Sequence, residues 1–370
     1  MKKFGYIVLV CIMMAGLLSG CKKKEEPPVQ DQVQVPEPEP TPTPVPEPEP
    51  VPEEPKLPEG MVYSQLTGEP VKEELAKKRP YAIVFNNISY ANPQSGTSQA
   101  SILYEALAEG GITRMLGIYE DIGGLERIGS IRSARHYFVS FADEYDAIFV
   151  HYGHTKYATA KISDLKVNNL SGLSGIGTTV FYRDNSIKAP HNAFASEKGI
   201  LAGTEKLKYR TDRKEDWENH FSFHEEDTEL TGGKKAEKVT LGFSSYTSPY
   251  FTYDSENKVY QRFQFKKAHV DANTGKQLTF KNIIIQLVKE WNIDKNGYQT
   301  MDLENSKGKG YYITDGKYVP ITWQKNESTK KMNYYDESGE RLTINPGKTF
   351  IAVYPNNRTE QLKMEGASEK

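Results

Sequence analysis

Three arginines, Arg127, Arg132 and Arg135, crowd a short stretch that also holds Ser130 and Ser133. Each guanidinium is a planar fork of donors matched to carboxylate or phosphate. A helix is expected to start near Ser133, and a helix start adds unpaired N–H groups and partial positive charge. Arg132 and Arg135 would then lie on neighbouring faces of its first turn. The chemistry this predicts is an anion clamp, for a carboxylate, a phosphate or a polymer of either. The plainer expectation is that these arginines form structural ion pairs with Glu105, Glu109, Asp143 or Glu144.

A second group is His151-Tyr-Gly-His154, with Pro190-His191-Asn192 further on. Three imidazoles at the carboxyl end of a strand are a possible metal set, but residues three apart on a strand face opposite ways, and no fourth ligand is in view. His151 and His191 as polar members of a cleft are the better expectation, and no metal is predicted. Covalent catalysis finds little support. Gly172-Leu-Ser-Gly-Ile-Gly177 has the wrong spacing for a nucleophile elbow, and Ser133 reads more simply as a helix cap. Glu105 and Glu109, four apart on an expected helix, would suit an acid pair only if both faced one cleft. No dinucleotide or nucleoside-triphosphate loop occurs, so no cofactor is expected. The candidate ligand-binding set is therefore Arg132, Arg135, Ser133, His151, His191, Asn192, Arg114 and Glu105.

These residues need a scaffold and an address. Lys2 and Lys3, an apolar run and Leu18-Ser-Gly-Cys21 make a secretory signal over 1–20 with a lipid-accepting cysteine at the cut. Phe4–Leu18 is short of the ~20 apolar residues that cross a bilayer. Acylation of Cys21, palmitate among the acyl chains, would anchor the protein in the cell membrane with its body on the extracellular face. Cys11 leaves with the signal, so neither a disulfide framework nor a thiolate zinc site is expected. Residues 21–58 are rich in Pro-Glu repeats and read as an extended linker. Removing the +2 of the signal and the −5 of residues 22–58 from the total of −2 leaves +1 for residues 59–370. A near-neutral body has no broad field for nucleic acid, and an anionic polymer would be met by a local cluster.

Two sections follow. Residues 59–212 alternate strand and helix signals and predict an α/β domain with a layered, mixed or parallel sheet. Strands are expected at 81–86, 114–119, 147–150 and 178–182. Helices are expected from about 97 to 108, after Ser133, at 156–166 and at 196–208. Residues 213–356 carry aromatic and β-branched runs between turn signals and predict a separate β-rich domain. Its Tyr246, Tyr250, Tyr253, Tyr260, Tyr311, Tyr312, Trp323, Tyr334 and Tyr335 are expected mainly as packing, with sugar stacking as the alternative. Residues 357–370 are expected to be a disordered tail.

Several stretches together resemble the YerB-like lipoprotein family of Gram-positive bacteria. They are Pro93-Gln-Ser-Gly96, Glu105-Ala-Leu-Ala-Glu-Gly110, Ile112-Thr-Arg114, Gly129-Ser-Ile-Arg-Ser-Ala-Arg135, Asp146-Ala-Ile-Phe-Val-His151, Pro190-His-Asn192, Asp271-Ala-Asn-Thr-Gly275, Gly308-Lys-Gly310 and Pro346-Gly-Lys348. The likeness covers about residues 60–356 and implies a two-part fold, α/β first and a distinct C-terminal domain second. It carries no catalytic assignment. Ser130 stands where proline is usual in the family, and His154 where relatives show other residues.

The function expected from all this is a membrane-anchored, extracytoplasmic cell-envelope lipoprotein that binds or regulates. Its ligand would be anionic or a glycan, held in the α/β domain. One alternative is a wall-acting hydrolase or transferase that uses the same cleft, with His151 or His191 as base. Another is an assembly partner of a wall enzyme through the β-rich domain. The expected partners are the bilayer, through acylated Cys21, and a wall polymer or wall enzyme.

Overall fold

Tyr81-Ala-Ile-Val-Phe-Asn-Asn87 is a run with apolar residues at both odd and even positions, which only a strand covered on both faces can bury. The computed structural model, which describes residues 57–366 except 218, 305 and 327–330, makes it such a strand, with all seven residues buried. The signal, Cys21 and the linker up to residue 56 lie outside the described residues. The strands used below are β1 (Tyr81–Asn87), β2 (Ile102–Leu107), β3 (Thr113–Tyr119), β4 (Ile128–Gly129), β5 (Ile148–His151), β6 (Asn169–Ser171), β7 (Phe181–Arg183) and β8 (Ala193–Ala195). Three longer helices lie among them: α1 (His136–Glu144), α2 (Lys156–Leu165) and α3 (Glu197–Lys206). The later section adds β9 (Lys234–Lys235), β10 (Lys238–Leu241), β11 (Tyr250–Asp254), β12 (Val259–Gln264), β13 (Lys267–Ala268), β14 (Thr279–Phe280), β15 (Asn282–Val288), β16 (Lys307–Thr314), β17 (Lys317–Lys325), β18 (Met332–Tyr335), β19 (Thr349–Pro355) and β20 (Leu362–Glu365).

One mixed sheet runs in the order β9-β17-β16-β15-β19-β2-β3-β1-β5-β6, with β18 also on β17. The two-part order expected from sequence is present, and the parts share this sheet. β19, near the chain's end, lies parallel to both β15 and β2, with Thr349 opposite Ile102 and Val353 opposite Ala106. A second sheet, β13-β12-β11-β10-β20 with β14 on β12, belongs to the later section alone.

Alternate residues of the long sheet feed two cores. Ala82, Val84, Ile102, Tyr104 and Ile351 pack with Phe138, Phe141 and Ala158 of α1 and α2. Tyr81, Ile83, Phe85, Leu103 and Phe350 pack with Ile200 of α3 and with Phe251 and Tyr260 of the second sheet. The long sheet is thus the middle layer of three.

Four local expectations are corrected. The helix expected at 97–108 is one turn of 3₁₀ helix, Thr97–Gln99, and then β2. Ala100, Leu103, Tyr104 and Leu107 fit a helical period, but Ile102 and Ala106 are equally buried, so the run is a two-faced strand. Helix α1 starts at His136, not Ser133, and its N-cap is Arg135 in extended conformation. Residues 178–182 begin as a short helix, Gly177–Val180, and only then enter β7. The tail expected to be disordered holds β20, which pairs with β10 from Lys238–Glu365 to Leu241–Leu362. Leu362 and Met364 alternate toward the core there, at a period of two.

Candidate functional site

β1, β5 and β6 run parallel, so their carboxyl ends share one edge of the long sheet. Loops beyond such ends are where open α/β sheets place ligands. Four segments meet at this edge: 88–92 after β1, 130–135 before α1, 152–155 after β5, and 184–192 between β7 and β8. The small antiparallel sheet β4-β8-β7 holds the last of them, with Phe194 opposite both Gly129 and Tyr182.

Arg132 and His191 converge where these four segments meet, and that meeting place, the hollow, adjoins the groove lined by Arg183. The half-buried Arg132 donates from Nη1 to the Pro190 carbonyl at 3.0 Å. His191 Nδ1 is 2.9 Å from the Asn86 amide nitrogen, so it accepts there and its proton sits on Nε2. Nε2 lies 2.8 Å from the Tyr90 hydroxyl, and the Tyr90 ring stands edge-on to the imidazole at 4.8 Å. Burial, then the nearby Arg132 charge, lowers the His191 pKa and favours the neutral ring. Burial, then Arg135 and Arg183, lower that of Arg132, against an opposing pull from Tyr90.

Arg183 completes the basic face. Its Nη1 donates to Asn192 Oδ1 at 2.6 Å, and its guanidinium lies 4.7 Å over the Tyr152 ring. Tyr152, Ser174, Thr178, Phe181, Tyr182 and Arg183 line an open groove of about 490 Å³ beside it. Asn192 is buried, and its amide also donates to the Asp184 carbonyl at 3.2 Å, so it shapes the loop rather than facing the hollow.

Other expected members lie elsewhere. Residues 130–135 are extended, and positions three apart in an extended segment face opposite sides. Arg135 therefore leaves Arg132 and, itself buried, pairs with the half-buried Glu109, whose Oε1 is 2.5 Å from Nε. Arg114 joins that pair at 3.9 Å from Glu109, and burial brings its pKa down to about 9. The Ser133 carbonyl accepts from Arg114 at 3.0 Å and from Arg135 at 3.3 Å, so Ser133 belongs to this second cluster and does not cap α1. Glu105 is fully buried in β2 and accepts from Asn87, Thr113 and Arg262. Glu105 and Glu109 share no helix face.

His151 is buried at the end of β5, with Nδ1 2.8 Å from the Gly153 carbonyl and Nε2 3.1 Å from Asn169 Oδ1. Gly153, at φ 91°, turns the chain so that His154 is exposed. A side chain on Gly153 would strike Ser133 Oγ at 2.6 Å. No cluster of three or more His, Cys, Asp or Glu able to hold a metal occurs among the described residues.

Tyr90, Asn86, Tyr152 and Arg183 are functional candidates that the sequence reading missed. Arg183 lies one residue beyond an expected strand, and only the β7–β8 hairpin brings it back toward Arg132. A signal did exist in the flanking motif Pro190-His-Asn192, which marks the return limb of that hairpin.

Comparison with known proteins matches both sections. The N-terminal domain of a protein family of unknown function, DUF3048, matches residues 66–210, and its C-terminal domain matches residues 239–351. The chain is 33% identical over 292 residues to "Putative lipoprotein YerB" of Bacillus subtilis (strain 168), covering 79% of this chain and 86% of that protein. The crystal structure of the YerB protein from Bacillus subtilis superimposes with a TM-score of 0.72 at 29% identity, over 82% of this chain and 99% of that one.

Proposed function

This chain belongs to the DUF3048 family, and from that premise we propose that it is a lipid-anchored envelope protein whose α/β section binds an anionic, ring-bearing ligand. The name of its Bacillus relative and the Leu18-Ser-Gly-Cys21 signal support the anchor, with the body on the outer face of the membrane. The hollow around Arg132 supports the ligand class.

One observation carries the reading. Arg114 and Arg135 share Glu109, and Arg127 pairs with Asp184 at 2.7 Å, whereas Arg132 has no carboxylate within 4.0 Å among the described residues. A half-buried guanidinium without a counter-charge has lost part of its hydration without replacement, which an anion would supply. Arg183, likewise free of a carboxylate among the described residues, adds a second donor fork. Tyr90, Tyr152 and Tyr182 offer aromatic surface to a sugar-like ring. His191 orients Tyr90 and stays neutral, which leaves the positive charge on the arginines. Binding needs no activated nucleophile, and the hollow presents none.

The test is calorimetric titration of the full chain with digalacturonate, a carboxylated sugar of two rings, at low and at raised salt. A charge-assisted hydrogen bond contributes about 1.5–3 kcal/mol, so Arg132→Ala should weaken binding roughly tenfold or more. The wild-type affinity should also fall as salt rises. Binding that Arg132→Ala leaves unchanged refutes the reading.

A further inference from the structure

We propose that the ligand is an extended anionic polymer, with Tyr246 and Phe265 of the β-rich section forming its second subsite beyond the Arg132 hollow. This rests on the anion-binding reading above and deepens it.

Most aromatic residues of the β-rich section are packing, as expected: Tyr260, Tyr312, Trp323 and Tyr334 are buried. Tyr246 is an exception at 41% exposed, and it reaches Ser89, the residue before Tyr90, itself 64% exposed. The two are linked through Ser89, whose backbone N–H donates to the Tyr246 hydroxyl at 3.1 Å. That hydroxyl in turn donates to Ser89 Oγ at 3.3 Å. Phe265 then meets the Tyr246 ring edge-on, with centroids 5.7 Å apart. From His191 and Tyr90 in the first family domain, the Ser89 contact thus leads to exposed Tyr246 and half-buried Phe265 in the second.

The chemistry of this surface matches an anion throughout. Arg132 and Arg183 stand at one end, and the exposed Lys266 and Lys267 follow Phe265 at the other. Segments 86–92, 244–250 and 263–268 contain no acidic residue, and Asp184 in the loop that carries His191 is paired with Arg127. The rings are also held in place before any ligand arrives. Ser244 Oγ accepts from the backbone N–H of Tyr246 at 3.1 Å and of Thr247 at 2.9 Å, which fixes that loop. Pre-set aromatic rings lose little conformational entropy on contact, so each can contribute to holding a further ring of the ligand. A monomer in the hollow would reach only the first half of this surface. A chain of sugar-like acids would reach both.

The experiment compares digalacturonate with decagalacturonate, titrated against the full chain and three variants. Tyr246→Ala combined with Phe265→Ala should weaken decamer binding roughly tenfold and leave dimer binding unchanged, given about 0.5–1.5 kcal/mol per aromatic contact. The decamer also gains from its greater number of binding registers. That gain is the same for every variant, so the comparison is made between proteins. Tyr246→Phe keeps the ring and loses only the Ser89 bonds, so it should retain decamer binding and exclude a mere loosening of loop 88–92. Arg132→Ala should weaken both probes. If dimer binding depends on Arg132 but the double variant binds decamer as the wild type does, the second subsite is wrong and the hollow stands. If neither probe binds, or Arg132→Ala changes nothing, the underlying reading falls and this one with it.

Discussion

Removing the Glu105 carboxylate should cost this protein much of its stability, although the residue lies far from any surface. Glu105 sits in β2 at the join of the two sections. Its Oε1 accepts from Asn87 Nδ2 at 2.8 Å and Thr113 Oγ1 at 2.6 Å, and its Oε2 from Arg262 Nη2 in β12 at 2.5 Å. Both members of the ion pair are fully buried. Glu105→Ala would leave the Arg262 guanidinium with only the neutral partners His269 and Gln264, the Thr113 hydroxyl without its acceptor, and Asn87 Nδ2 with Thr113 Oγ1 alone. Breaking one side of a buried pair typically costs about 3–5 kcal/mol. Each orphaned neutral donor adds about 1–3 kcal/mol before water or local movement relieves it. A loss of about 4 kcal/mol or more is expected, out of the ~5–15 kcal/mol that typically holds a folded protein together. Urea unfolding followed by tryptophan fluorescence would measure it. Arg262→Met added to Glu105→Ala should recover at least half the loss, since no unpaired charge then remains. A single-variant loss below about 1 kcal/mol, or a double variant no more stable than the single, would refute the argument that burial of an unmatched charge dominates here.

Two further outcomes are expected. Gly310 in β16 lies where a Cβ would come within 2.3 Å of the Ile285 carbonyl oxygen in β15; Gly310→Ala should therefore force the strands apart and destabilise by about 2 kcal/mol or more, read from the thermal midpoint. His136 has its pKa lowered to about 4, first by burial and then by Lys161. The unfolded chain takes up that proton near pH 6.5, so His136 should contribute a loss of stability as pH falls from 6.5 toward 4; in His136→Gln the decline measured by urea unfolding over that window should be shallower.

The failures of sequence reading at the site share one cause. Arg132 and Arg135 were expected on one helical turn, but tertiary packing keeps residues 130–135 extended, and an extended chain sends positions three apart to opposite sides. Arg132 faces the hollow, while Arg135 turns to Glu109. The arginine cluster thus combines structural ion pairs, at Arg127 and Arg135, with one guanidinium, Arg132, that has no carboxylate partner among the described residues. Glu105 and Glu109 were assigned to a helix because Ala100, Leu103, Tyr104 and Leu107 fit a 3.6-residue period. A short apolar run buried on two faces fits that period as well as it fits a strand.

Composition and local pattern alone determined several things: a lipoprotein-type Leu18-Ser-Gly-Cys21 motif, a proline-rich stretch ahead of the folded part, an α/β section ahead of a β-rich one, and histidines near the carboxyl end of a strand. These depend on residue type and on spacing within a few positions, which any one segment carries by itself. Pairing between remote segments decided the rest. β19 joined β2 across the two sections, Arg183 and His191 came beside Arg132, and Tyr246 came beside Ser89. Such contacts arise from burying both faces of one long sheet, a requirement of the whole chain that no single stretch encodes.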